Sequence, residues 1–395
     1  MYLFCFAAGV GIQPISHFQL YGNFTVIDFV ILLYTPIYLL QRRTIIVPEN
    51  GRKIIIVIFL LALWQMFSLL FSPYEMKMVN FGPNVRLLYY GLVFLLFLGK
   101  IDDEIHLLRI SQYFIFGLIV NLIHCFYLWS LEPNYFWGLP ILNNSYVSRN
   151  PLYYFIVFGL PMVISFAKLS NNLKLSYFYY FFAGILATIA FITFSKGAWL
   201  ILIVICGMFA IMYSKKAIVP FILFLGLIIL FFNFGSLNIE TIFSAINHRI
   251  YGSTSTVLTR YEFITTGIQM GLDHFLFGVG LRSSDPHNVY VMIFAETGII
   301  GLLLYIFIII FIIHDLRKAF KFIHQRKENY SLMVYWKTAF MLLTIILLLN
   351  VLTGMAFNAK FFCFFLIYIE GLLSIVKIKN RGYLISKGFN FPKPV

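Results

Sequence analysis

The chain has 395 residues, of which 61% are hydrophobic and only 11% charged. A soluble domain is about half apolar and about a quarter charged, so a mean hydropathy of +0.90 excludes the soluble globular, disordered and fibrous classes. The formal net charge of +14 is not a nucleic-acid footprint, because no basic stripe interleaved with aromatics marks a soluble module.

Apolar runs predict membrane spans near 1–16, 24–40, 54–71, 85–99, 107–130, 151–167, 176–194, 197–214, 217–234, 289–313, 334–356 and 359–376. At ~20 residues a span, twelve spans consume nearly all the apolar content. A β-barrel is excluded, because barrel strands alternate apolar and polar residues. No secretory signal stands apart from the first run. Cys5, Cys125, Cys206 and Cys363 all sit in apolar runs, with neither metal-ligand nor disulfide spacing. The stretch 176–214 is too long for one span, and Ser195-Lys196-Gly197 cuts it into a hairpin with a tight turn. The expected fold is all-α: a single integral membrane domain over 1–395, with about twelve helices and one long external loop at 235–288.

Lys and Arg set the orientation. With the N-terminus in the cytoplasm, most of the 29 basic residues fall in inside loops and the C-terminal tail, among them Lys53, Arg109, Lys168, Lys337, Lys377 and Lys379. Both termini are then cytoplasmic, and the net charge is a topology signal attracted to anionic lipid. Lys77, Arg86, Arg149, Lys196, Arg249, Arg260, Arg282 and Lys360 are left outside. Topology disfavours them there. Some snorkel to phospholipid headgroups; near span ends an arginine also meets a lipid-borne phosphate.

The 235–288 loop is long enough to suggest a function. Thr259-Arg260-Tyr261 through Met270 reads as a short amphipathic helix on the membrane surface. Gly278-Val279-Gly280 reads as a turn, and a lone GxG is weak evidence for phosphate binding. In Ser283-Ser284-Asp285-Pro286-His287-Asn288, Ser284 or Asp285 can cap a helix and Pro286 fits its first position. His287 then falls in the first turn of the next span, at the outer face. A positive helix end favours the neutral imidazole, the form a general base needs. With Arg282 nearby it also suits an anionic group. The plain alternative is a histidine that only hydrogen-bonds at the interface. Scattered outside acids form no carboxylate pair, and Asp102-Asp103-Glu104 reads as a solvated cytoplasmic loop. A metal-dependent or carboxylate-dyad transferase is therefore disfavoured, and no cofactor is expected.

Three stretches carry a resemblance: Thr193-Phe194-Ser195-Lys196-Gly197-Ala198-Trp199-Leu200; Thr259-Arg260-Tyr261 leading to Gly278-Val279-Gly280; and Pro286-His287-Asn288-Val289-Tyr290 continuing through Ala295-Glu296-Thr297-Gly298-Ile299-Ile300-Gly301. With Asn150-Pro151 opening a span, residues 150–315 resemble the O-antigen ligase and polymerase superfamily of bacterial inner-membrane glycosyltransferases. The resemblance implies a metal-independent, inverting transfer of an undecaprenyl-diphosphate-linked glycan to an acceptor hydroxyl at the periplasmic face. It implies that His287 is the catalytic histidine and that Arg260 and Lys196 hold the donor diphosphate, with Arg86 and Arg282 as further diphosphate candidates. Asn288, Glu296 and Arg249 are supporting residues. Lys196 departs from the pattern, since the family usually has Arg there, and lysine is a point charge without the bidentate fork. The implied partners are the lipid-linked donor, membrane lipids, a chain-length regulator, and as acceptor either a second lipid-linked glycan (a polymerase) or the lipid A core (a ligase). The short external loop favours the polymerase. A lipid-linked oligosaccharide flippase is the rival class, but the sequence shows no internal repeat and no paired broken helices of the kind transporters use.

Overall fold

The computed structural model describes residues 1–10, 49–72, 82–98, 101–131, 134–136, 139–141, 149–193, 195–213, 254–280, 287–325, 330–352 and 360–386, with a few isolated positions between them. The helices are α1 (Tyr2–Val10), α2 (Glu49–Leu70), α3 (Gly82–Leu98), α4 (Glu104–Leu131), α5 (Arg149–Leu169), α6 (Leu173–Ile192), α7 (Lys196–Met212), α8 (Thr254–Asp273), α9 (Val289–Gln325), α10 (Tyr330–Leu352) and α11 (Lys360–Ser386). A two-stranded antiparallel ribbon, β1 (Asn134–Phe136) and β2 (Leu139–Ile141), is the departure from an all-α fold. Among the described residues six helices are long and apolar enough to cross a membrane, and Leu87–Phe97 and Lys196–Met212 are shorter apolar helices. The protein is an integral membrane protein. The runs at 24–40 and 217–234 lie outside the described residues, as do Arg249 and Arg282.

Burial sorts the spans into centre and rim. Leu152–Leu169 of α5 is 83% buried, against 39% for α4. α4 turns Tyr113, Phe116, Ile123 and Tyr127 outward, an apolar face suited to lipid. The hairpins are pinned locally. Asn172 caps α6 by accepting from the Lys174 and Leu175 amides. At the next turn, the Trp199 indole donates to the Phe191 carbonyl at 3.0 Å, while its ring stacks on Phe191. That bond joins the Thr193 amide on a carbonyl of the last turn of α6, and it folds the chain back at Ser195.

The two ends of the bundle differ in chemistry. Leu352, at the C-terminal end of α10, reaches the cavity described below. At the other end of α10, Tyr335 donates to the Glu104 carbonyl and Lys337 donates to the Met212 carbonyl while lying over the Tyr213 ring. Lys168 also lies over Tyr213, and Lys379 pairs with Glu104. The lysines assigned from sequence to the inside loops thus gather at the end opposite the cavity.

Two segments differ from the sequence expectation. The amphipathic helix is α8, twenty residues long rather than one short segment from 259 to 270. α9 is not one rod: it breaks at Gly298, whose φ is 69° and ψ is −168°. A break in a span frees backbone groups that lipid cannot satisfy. Here the segment after α8 satisfies them. Val279 N–H donates to the Ala295 carbonyl at 2.8 Å, Gly280 N–H to the Glu296 carbonyl at 3.0 Å, and Ile299 N–H to the Phe275 carbonyl at 2.8 Å. α2 closes the clamp: the Trp64 indole donates to the Thr297 carbonyl and the Ser68 hydroxyl to those of Glu296 and Phe277. Phe277 stacks on Trp64 and Phe71. The amides of Val279 and Gly280 are thereby committed to protein, which removes the GxG turn as a phosphate cradle.

Candidate functional site

A cavity of about 140 Å³ opens at the end of the bundle away from the lysine cluster. Its lining comes from five elements. α5 supplies Tyr153 and Tyr154, and α7 with its cap supplies Ser195, Lys196, Gly197 and Leu200. α8 supplies Arg260, α10 supplies Leu352, and the residue before the α9 cap supplies His287. Lys196, Arg260 and His287 are far apart in sequence, and the fold brings them to one small space.

Each polar group is positioned for a local reason. Lys196 is the first residue of α7, placed by the Trp199-pinned turn. Arg260 shares a face of α8 with Gly267 and Gly271, seven and eleven residues on. Both glycines are buried, and Gly271 lies so close to Phe294 of α9 that a Cβ there would overlap the ring. That packing aims the Arg260 face at the bundle. The apolar stripe of Leu258, Tyr261, Ile268 and Leu272 stays exposed beside it, as suits a helix lying in a membrane interface.

His287 departs from the sequence reading. It does not sit in the first helical turn, which opens at Val289; Ser284, Asp285 and Pro286 lie outside the described residues. Asn288 is the cap: its carboxamide oxygen accepts from the Tyr290 amide at 3.0 Å and the Val291 amide at 3.1 Å, and its nitrogen donates to the Val351 carbonyl of α10. One helix end needs one such cap, and the asparagine nearest the apolar run takes the place. His287 is therefore held just outside the helix with φ of 50°, the one non-glycine residue with positive φ among the described residues. Such a conformation is uncommon and is retained where the surroundings impose it. It turns the imidazole away from the axis of α9 toward the cavity, with the Phe263 ring of α8 6.2 Å away.

The other predicted residues divide cleanly. Asn288 supports the site as cap and strut. Glu296 is buried outside the cavity lining, and its carbonyl belongs to the clamp at the Gly298 break. Arg86 lies in α3, with its side chain outside the described residues. Sequence reasoning missed Tyr153, Tyr154 and Leu352. The signal was the tyrosine pair just after Asn150-Pro151, which in an apolar span reads as ordinary interface aromatics.

Lys196, Arg260, Tyr153 and Tyr154 are lining residues with donors suited to an anion. None of the described lining residues is a carboxylate. The group of Asp102, Asp103 and His106 that has metal-ligand spacing lies at the N-terminus of α4, in the Glu104 end of the bundle. There the His106 amide donates to Asp103 and its ring nitrogen lies 2.9 Å from Asp102, which is helix-start pairing.

The model of the family described as O-antigen ligase matches residues 181–306. The match covers the second half of α6, α7, α8 and the start of α9, hence Lys196, Arg260 and His287, and leaves out Tyr153 and Leu352. No curated protein matches the chain.

Proposed function

We propose, for a chain whose residues 181–306 match the family described as O-antigen ligase, membership of the O-antigen ligase and polymerase superfamily and a metal-independent, inverting transfer of a glycan from undecaprenyl diphosphate to an acceptor hydroxyl. The observation that carries the reading is the convergence of Lys196, Arg260 and His287 on one cavity. In the reaction the acceptor oxygen attacks the sugar C1 from the face opposite the diphosphate. The C1–O bond to phosphate breaks, and the diphosphate leaves with both bonding electrons. The acceptor proton passes to the His287 imidazole, a contribution of about 10²–10⁴-fold for a placed base. Charge builds on the leaving diphosphate, and Lys196 and Arg260 stabilise it without moving a proton.

The cavity faces the periplasm in this reading, with the lysine-rich end in the cytoplasm of a bacterial inner-membrane protein and the 235–288 loop outside. The acceptor is a second lipid-linked repeat unit, which makes the enzyme a polymerase. A deletion strain tests that choice: lipid A core carrying one repeat unit is the expected product, and core with no repeat unit would assign the enzyme as a ligase instead.

Arg260 tests the donor site. Arg260→Ala is expected to raise the KM for the lipid-linked donor by about tenfold or more, since a charge-assisted hydrogen bond is worth ~1.5–3 kcal/mol. Arg260→Lys keeps the charge but loses the fork, so its KM should fall between alanine and wild type. Wild-type KM in both variants would mean that the diphosphate is held elsewhere.

A further inference from the structure

The mechanism above leaves the buried hydroxyls of the cavity, those of Tyr153, Tyr154 and Ser195, without a role. Tyr153 is 1% exposed, yet it lines the same space as Lys196 and Arg260. Its ring is held edge-on by Tyr154 at 4.5 Å, and its hydroxyl shares hydrogen bonds with the side chains of Tyr154 and Ser195 and feels the charge of Arg260.

Ser195 explains why that matters. It stands at the cap of α7 in extended conformation, the place where a serine ordinarily accepts from the first turn, but it makes no side-chain cap bond. Its hydroxyl is engaged with Tyr153 instead. Ser195 therefore does not serve as the side-chain cap of α7. Gly197 keeps the approach open: a Cβ there would lie 2.5 Å from the Tyr153 oxygen. The phenol thus sits directly over the start of α7, beside Lys196. A lysine ammonium supplies charge with little direction, so orientation of an oxyanion must come from groups fixed in place. The Tyr153 hydroxyl is such a group.

We propose that Tyr153 is a diphosphate-binding residue whose hydroxyl donates to a phosphate oxygen seated at the start of α7, between Lys196 and Arg260. The proposal rests on the reading of the cavity as a donor site and adds a third, directional contact to it. Ser195 and Tyr154 act as positioning residues by fixing the phenol.

The test uses undecaprenyl diphosphate as a competitor of the purified, lipid-reconstituted full-length protein, with thermal unfolding read in parallel. Tyr153→Phe should weaken competitor binding about tenfold, the range for a hydrogen bond to a charged group, at an unchanged unfolding midpoint. Gly197→Ala pushes the hydroxyl from the other side and should weaken binding as well. Wild-type affinity in Tyr153→Phe overturns the proposal. So does a loss of affinity matched by a fall in the unfolding midpoint in both variants, because the hydroxyl would then only hold the turn. Arg260→Ala separates the two levels. If it loses affinity while Tyr153→Phe does not, only the tyrosine contact fails; if neither loses affinity, the donor-site reading itself fails.

Discussion

Replacing His287 by alanine is expected to reduce product by at least ~100-fold, the lower end of what a placed general base contributes, while the donor still binds. Alanine alone would leave a doubt, because position 287 has φ of 50°. Left-handed backbone costs ~1–2 kcal/mol for an ordinary residue but less for asparagine, so alanine changes backbone energy together with chemistry. His287→Asn separates them. It accepts the conformation and keeps hydrogen-bonding capacity, but it has no basic nitrogen to take the acceptor proton. Both variants should therefore be inactive, with asparagine retaining the wild-type unfolding midpoint. Chain elongation in vitro with purified donor is the measurement, and elongation at the wild-type rate in His287→Asn would remove the base from the mechanism.

How much of this was legible in the sequence follows from the range of the signals. Spans such as 107–130, 176–194 and 197–214 register as helices α4, α6 and α7 within a few residues, because apolar length is a local property. The hairpin at Ser195-Lys196-Gly197 was legible for the same reason. Lys196 and His287 stood out as ionisable groups at span ends, where charge is costly, and Arg260 as an outside cation on the amphipathic stretch of the long loop. What the sequence could not show was partnership. Tyr153 is one of 25 tyrosines, and only the crossing of α5 with the start of α7 gives its hydroxyl a meaning. The cap of α9 was misread because Ser284, Asp285 and Asn288 are all competent caps, and the choice is settled by the tie from Asn288 to Val351 in another helix. Glu296 drew attention as a carboxylate, whereas its backbone carbonyl is what enters the clamp at the Gly298 break.

The break at Gly298 was invisible for a related reason: a glycine in an apolar run is unremarkable until its backbone angles are known. Its replacement carries the largest structural effect expected in the molecule. With φ of 69° and ψ of −168°, Gly298 occupies a region essentially closed to other residues. An alanine Cβ there would overlap the backbone carbonyl of Leu276 and lie 2.7 Å from that of Phe275. Neither can swing aside, because Phe275 accepts from Ile299 and Phe277 is stacked between Trp64 and Phe71. Gly298→Ala should therefore cost at least ~3 kcal/mol, seen as a clear fall in the unfolding midpoint in detergent. The effect should also reach the cavity. The clamped segment follows α8 directly, and α8 carries Arg260, so forcing the segment off α9 shifts the arginine while every cavity side chain remains present. Donor affinity should fall with stability. Gly207→Ala in α7 is the matched control, since a Cβ there meets nothing within 4 Å, and an exposed helical glycine-to-alanine change is neutral or mildly stabilising. Equal unfolding midpoints for the two variants would mean that α9 can straighten through position 298, and that the segment after α8 does not hold the break.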